Sequence, residues 1–470
     1  MSTGSSGLLG SRVPRIVSIL ILIGACGRCP LTAQTNLETN AGVHFNFSTP
    51  GAGNLALGGA FLALAFDASA AYTNPAGLTT IAAPEALVEA RHWSFTHVFT
   101  DHGRIEGLEP TGSGTDTDAG LRNGQAEDQL TGLSFLSYVY PRRNWSFALY
   151  RHELVNFHAD FSTAGAYLEL TREVSSHLIP GERDGRLAPL RNSMDLDITA
   201  YGGAAACRLG RGASIGMAAS YFDFSIDSTG ERFLPNGPEG FFSPPDFSPH
   251  LRRNIQTQRG KDNDWSFAAG FLWGSPKNRW SVGGVYREGP DFTLRAGSVP
   301  APEAEEDQFL FEPSSQQADF HVPDVYGLGV AFRPSDALRL AFDYDRIRYS
   351  QLTQGFVDIF DLATLTGGTE SPELDRFRID DADELHLGME YAFLRRWPVF
   401  TLRAGAWYEP DHDLRFEGNN VGFRAVFRQG SDQMHYTAGV GLALRRIQVD
   451  AGVDHSDRVS VISLSAGFRH

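Results

Sequence analysis

Leu385-His-Leu-Gly-Met-Glu-Tyr-Ala-Phe393 alternates apolar residues with His386, Gly388 and Glu390. Successive side chains of an extended chain point to opposite faces, so the stretch reads as a strand with one greasy face and one small or charged face. The same period recurs over residues 265–273, where Trp265, Phe267, Ala269, Phe271 and Trp273 oppose Ser266, Ala268 and Gly270. It recurs again where Tyr436, Ala438, Val440, Leu442 and Leu444 oppose His435, Thr437, Gly439 and Gly441. Segments of this kind number about fourteen, an even number as a single-chain transmembrane barrel requires. They start near Ala86, Gln129, Trp145, Met194, Ala213, Asp264, Arg279, Asp324, Ala337, Asp383, Val399, Asp432, Arg446 and Arg458. The expected fold is all-β: a transmembrane antiparallel β-barrel.

The links between these segments sort by length and charge. Pro141-Arg-Arg-Asn144, Leu209-Gly-Arg-Gly212, Ser275-Pro-Lys-Asn278, Pro334-Ser-Asp336 and Leu394-Arg-Arg-Trp397 are short, and most carry or adjoin Arg or Lys. They alternate with long links over residues 99–128, 157–193, 228–263, 290–323 and 350–382; the first of these holds seven acidic residues against Arg104 and Arg122. Short inner turns and long outer loops are the pattern of an outer-membrane barrel. Half-buried strands of a soluble protein also alternate, but have no reason to segregate loop length together with charge.

Composition agrees. The 470 residues carry a formal charge of −16, which excludes the concentrated positive charge of a nucleic-acid binder. Gly numbers 50, about 11% where about 7% is average, and Phe, Tyr and Trp together number 54. Aromatics suit the interfacial girdles of a barrel. Small inward residues, interspersed with Arg287, Arg339, Asp343, Glu390 and Arg403, leave room in the bore, and something should fill it.

Near the amino terminus, Arg12 and Arg15 precede the uncharged run of residues 16–27, followed by Leu31-Thr32-Ala33. This reads as a secretory signal peptide over residues 1–33, the run being far short of the roughly 20 residues of a membrane-spanning helix. Cys26 and Cys29 fall inside that segment, where Cys26 also loosely fits a lipid-attachment site. Cys207 is then the remaining thiol of the mature chain, with no disulfide framework.

The candidate for that filling is the segment between the expected cleavage site and the first strand. It contains Leu57-Gly-Gly-Ala-Phe-Leu-Ala-Leu-Ala-Phe-Asp-Ala-Ser-Ala-Ala-Tyr-Thr-Asn-Pro-Ala-Gly-Leu78. This resembles the hatch of the FadL/TodX family of outer-membrane transporters for long-chain fatty acids and hydrocarbons. A later stretch, Val322-Pro-Asp-Val-Tyr-Gly-Leu-Gly-Val-Ala-Phe-Arg-Pro-Ser-Asp336, resembles a late hairpin of the same family. The resemblance implies a fourteen-stranded barrel (residues 85–470) closed from inside by a hatch (residues 34–84), with Gly58, Gly59, Phe61, Asn74, Pro75 and Ala76 as hatch residues. In that family a kink in the third strand opens the wall sideways; here Trp145-Ser-Phe-Ala-Leu-Tyr-Arg-His-Glu-Leu-Val-Asn-Phe157 contains no Gly or Pro to make one. The aromatic usual at the end of such chains is displaced to Phe468.

The expected function is passive transport of a hydrophobic compound, a long-chain fatty acid first, in the outer membrane of a Gram-negative-type bacterium. Outer loops bearing Phe241, Phe242, Phe247, Phe309, Leu310 and Phe311 would capture the ligand, a lumenal pocket would hold it, and hatch movement would release it. Apolar contact supplies roughly 0.8 kcal/mol per methylene, so a single cation suffices to orient a carboxylate. The candidates are Arg151, Arg287 and Arg403; alternation points Arg287 and Arg403 inward and puts Arg151 on the face opposite Tyr150 and His152. No catalytic residues, metal ligands or cofactor are expected. Gly51-Ala-Gly53 lacks the third glycine of a dinucleotide fingerprint, and Glu305-Glu306-Asp307 reads as a solvated loop rather than a cation site. Outer-membrane lipid, lipopolysaccharide and, during assembly, the barrel-assembly machinery are the other expected partners. A general diffusion porin and a secretion-accessory barrel are the rival functions.

Overall fold

The computed structural model describes residues 45, 47–104, 120–164, 167–169, 184–186, 189–233, 246–275, 279–302, 314–353, 376–419, 424 and 427–470. The expected signal segment (residues 1–33), residues 34–44 of the expected hatch, Phe241, Phe242, residues 305–307 and Phe309, Leu310 and Phe311 lie outside them.

One antiparallel sheet closes on itself. Its wall strands are β1 (Glu85–Arg104), β2 (Gly120–Arg142), β3 (Trp145–Thr163), β4 (Leu190–Gly210), β5 (Ala213–Phe233) and β6 (Arg252–Gly274). Next come β7 (Trp280–Arg287 and Asp291–Pro300) and β8 (Ser314–His321 and Val325–Phe332), each broken beside a proline, Pro290 and Pro323. The wall continues through β9 (Leu338–Ile347), β10 (Ala382–Ala392), β11 (Val399–Glu409), β12 (Gln433–Ala443), β13 (Ile447–His455) and β14 (Val459–Arg469). Each strand pairs with the next, and β14 pairs with β1 from Glu85↔Arg469 to Phe95↔Val459, which makes the barrel fourteen-stranded. A short hairpin of Tyr167–Glu169 and Asp184–Arg186 sits at the outer end of the wall, where Tyr167 pairs with Arg104.

The alternation sorts outward from inward as expected. Leu387 is 56% exposed and Trp265 58%, whereas their neighbours His386 and Ser266 are buried at 6% and 4%. A polar inside and an apolar outside invert a soluble protein and suit a wall facing lipid. Aromatic residues gather at both edges. Tyr201, Tyr221 and Trp265 stand opposite one another in β4, β5 and β6, and at the short-turn end Trp280 stacks on Phe332 with centroids 4.2 Å apart.

Four of the five long outer links are shorter than the sequence suggests, the exception being the one after Ile347. β2 begins at Gly120 and β6 at Arg252, several residues before the expected Gln129 and Asp264. These extensions, such as Gln256, Gln258 and Lys261, are polar on both faces and so lack the apolar period that lipid imposes lower down. They remain paired with β1 and β5 and carry the wall outward.

Candidate functional site

Residues 47–84, ahead of β1, lie inside the barrel as a plug. Its helix α1 (Ala52–Leu55), helix α2 (Ala70–Thr73) and 3-10 turn (Pro75–Thr80) are too short to stand alone and are almost wholly buried by the wall. The wall makes room with glycine. A Cβ on Gly216, Gly270, Gly388, Gly405 or Gly452 would come closer than 3.0 Å to atoms of the plug. Gly58 takes φ 65, and a side chain there would strike the Leu387 carbonyl.

Polar anchors fix the plug around the bore. Asp343 on β9 accepts from the backbone N–H groups of both Phe61 and Leu62, at 2.6 and 2.7 Å. Asn74 donates to the carbonyls of Leu62 and Phe271, at 2.9 and 3.0 Å, and accepts from Ala76, capping the turn that Pro75 opens. Ser214, Ser281 and Ser137 hold the carbonyls of Ala76, Ala63 and Ala68. Glu89 accepts from Gly51 at 2.9 Å and pairs with the buried Arg91 at 2.7 Å. Within the plug, burial and the neighbouring Glu85 push the Asp67 carboxyl up to about 6.

On the outer side of the plug is a chamber with about 860 Å³ of space, part of it open to solvent. Phe45, Phe47, Leu55, Trp93, Phe95, Val325, Ile347, Val459 and Val461 form its apolar lining. The opposite wall carries a stack: Trp407 lies 5.3 Å from His386 and 3.7 Å from His435, ring centroid to ring centroid. His386 bonds the Gly58 carbonyl at 2.7 Å through Nδ1 and Glu384 at 3.2 Å through Nε2; His435 lies 3.1 Å from both Asp454 and Glu409. Each imidazole therefore faces acceptors at both nitrogens, an arrangement that suits the doubly protonated ring. Tyr349, in an outer 3-10 turn (Tyr349–Thr353), borders the chamber, and burial holds its phenol well above the usual range and so neutral.

A smaller cavity, about 400 Å³ with its open part included, adjoins the chamber between Tyr72, Tyr150, Leu154 and Phe222, and the two share Arg287. Beside it the wall is split. β3 pairs with β4 from Trp145 to Thr163, but with β2 only from Arg142↔Trp145 to Phe135↔His152. Beyond that row β2 pairs with β1 alone. The cause is a β-bulge: Leu154 is an extra residue between Glu153↔Thr199 and Val155↔Ile198, and Ser134 is extra in β2 between the partners of Glu89 and Ala90. A side break needing neither Gly nor Pro is thus present, which corrects the expectation drawn from the composition of β3. Above it β3 leans on β1, where Thr163 donates to the Asp101 carbonyl and Phe161 stacks on Phe99 at 4.7 Å.

Neither a protein-family profile nor a curated protein matches the sequence. Solved structures do match. A Pseudomonas aeruginosa FadL homologue is 16% identical over 91% of this chain and 99% of its own, with a TM-score of 0.57. The CymD monoaromatic hydrocarbon channel is 15% identical over 91% and 99%, at 0.52, and the Pseudomonas putida toluene transporter TodX 14% identical over 90% and 98%, at 0.51. The fold is that of the FadL-type channels.

Within this FadL-type fold the three candidate arginines fare differently. Arg403 is locked under α1, its guanidinium 2.7 Å from Glu390 and 2.6 Å from Asp450, so it supports the plug and does not face the chamber. Arg151 shares the outer face with the exposed Leu149 while Tyr150 and His152 are buried; it pairs with Glu153 at 3.2 Å and bonds the Leu133 carbonyl at the split. It is outside the lumen, a correction to its candidacy that follows from the strand period. Arg287 alone of the three lines the cavities. It lies 5.2 Å from the Tyr72 ring and donates to the Thr73 carbonyl at 3.3 Å, its Nε has no partner, and no carboxylate pairs with it among the described residues. Burial holds the Tyr72 phenol above its usual range, so the ring beside Arg287 is neutral. The roles of Asp343, His386 and the Trp407–His435 stack escaped sequence reading, because most of their partners lie on other strands or in the plug; alternation placed Asp343, His386 and His435 on the inner face and gave no more than that.

Proposed function

We propose that the chain is an outer-membrane channel for passive entry of hydrophobic compounds, long-chain fatty acids first among them. The observation that carries this reading is the largely apolar outer chamber ending at the buried Arg287, which pairs with no carboxylate among the described residues. An acyl chain fits the Phe and Val lining while Arg287 orients the carboxylate. The channels named above support the class of ligand: one is called a monoaromatic hydrocarbon channel and another a toluene transporter. Release follows movement of the plug residues that separate the chamber from the inner side, namely Gly58, Gly59 and Phe61 and the Asn74-Pro75-Ala76 turn. A second route is favoured by the split between β2 and β3, which joins the smaller cavity to the wall at Leu154. Neither route needs a nucleotide or a covalent step. Lipopolysaccharide and phospholipid surround the wall, and the barrel-assembly machinery inserts it.

The test is binding by the purified protein in dodecyl maltoside. Laurate and its uncharged analogue dodecanol both bind, and Arg287→Met weakens laurate about tenfold, the worth of one charge-assisted hydrogen bond, while sparing dodecanol. A protein that binds neither compound is not a transporter of this kind.

A further inference from the structure

On the inner side of the plug lies a larger vestibule, with about 1450 Å³ of space including its open mouth. We propose that it is an anion-binding site for the oxyanion head of an amphiphile. Four arginines line it, Arg208, Arg279, Arg333 and Arg339, and no Asp or Glu does among the described residues. This is a concentration of positive charge in a chain whose formal charge is −16.

The partners of these arginines leave the charge largely standing. Arg208 donates to the Thr79 carbonyl of the plug, and Arg279 to the carbonyls of Arg333 and Pro334 in the neighbouring turn. Carbonyls accept hydrogen bonds but cancel no charge. Arg339 meets one carboxylate, Glu390, at 3.0 Å, and packs on Phe66 of the plug at 4.9 Å. Glu390 is itself shared with Arg403. The Arg333 side chain has no hydrogen bond or ion pair among the described residues. Guanidiniums with free N–H groups around a concave space are the chemistry that recognises carboxylate and phosphate. The Ser214, Ser275, Ser281, Thr79 and Thr80 hydroxyls on the same lining add neutral donors, and Leu64 and Leu272 give an apolar tail somewhere to lie.

This inference rests on the plug-movement route above and extends it. An amphiphile that passes from Arg287 to the vestibule exchanges one cation for several, so its head group is held on the inner side. The carboxylate of a transported acid and the phosphate of an inner-leaflet phospholipid share this chemistry, and the experiment separates them.

Full-length protein in dodecyl maltoside is titrated with laurate and bound copies are counted by native mass spectrometry at low and high salt. The same protein in nanodiscs is compared for retention of phosphatidylglycerol against phosphatidylcholine. Arg333→Gln and the double variant R279Q/R333Q are set beside Arg287→Met, with heat-modifiable gel mobility reporting a closed barrel. The expected result is two laurates on the wild type, one salt-sensitive. That copy weakens at least tenfold in R279Q/R333Q and survives Arg287→Met. If the double variant loses phosphatidylglycerol and keeps both laurates, the anion site stands and its ligand is a lipid phosphate. Arg333→Gln, which breaks no structural bond, shifts the same copy in the same direction if the double variant fails to close. Laurate and phosphatidylglycerol both unaffected in the closed variants overturn the proposal. Dodecanol binding is indifferent to these substitutions, so loss of the transport reading would show separately, as a wild type that binds no dodecanol.

Discussion

The plug divides the bore into two chambers built on opposite electrostatic plans. In the outer one, imidazoles sit beside carboxylates: His435 with Glu409 and Asp454 on the adjoining strands, His386 with Glu384 on its own strand. Both imidazoles are hydrogen-bonded to carboxylates, whereas Arg287, beside Phe, Trp and Val side chains, has no carboxylate partner among the described residues. In the inner one, arginines at or near the short turns meet mostly backbone carbonyls, so their charge persists. The lesson is that a lumenal arginine is defined by its register partners. Arg403 and Arg287 both point inward, yet one is a support and the other a free cation.

The difference depends on the plug staying shut, and three further experiments act on it. The largest effect is expected from Asp343→Ala, which strips the acceptor from the Phe61 and Leu62 N–H groups. Leaving a buried donor without its acceptor costs about 1–3 kcal/mol, and two are stranded here, so the plug opens at least tenfold more often. Single-channel recording in planar bilayers should show frequent large openings in place of a quiet trace; an unchanged trace would mean the other anchors suffice. A smaller effect follows from Gly216→Val, whose side chain collides with the backbone of Pro75 and Ala76. Overpacking of this kind costs about 1–3 kcal/mol, and faster amide exchange over residues 76–80, with the wall unaffected, is the signature. Equal exchange in the variant would show that the turn is not pressed on the wall.

The smallest effect is one of pH. The Asp67 carboxyl, raised from 3.8 to about 6, binds its proton more tightly in the seated plug than in a released one. Its contribution to seating is complete below about pH 3.8 and is lost as pH climbs through 6. Glu85, the other carboxylate beside it, accepts from Ala68 and pairs with Arg469 at 2.6 Å. Protection factors over residues 52–73, exchange corrected for its intrinsic rise with pH, should therefore be larger at pH 4.5 than at pH 7, and Asp67→Asn should flatten that profile. A wild-type profile as flat as the variant's would remove Asp67 from the balance.

Much of the wall was legible in advance. Expected and observed starts agree at Trp145, Ala213 and Val399, because each strand facing lipid carries its own apolar period. Legibility failed where lipid stops imposing that period, as in the polar outer reaches of β2 and β6. It failed too at the side break, since a bulge such as Leu154 is a mismatch between the pairings of neighbouring strands and has no residue type of its own.

What the sequence determined alone is the sidedness of each strand, the short cationic turns and a bore lined with residues too small to fill it. These are local properties, set by alternation and by side-chain size within a few residues. Only the tertiary structure decided which arginine is free, where the wall parts and how the plug is anchored. Asp343 and Phe61, or Arg403 and Asp450, meet only when distant segments come into register, and electrostatics acts across that distance in space, not along the chain.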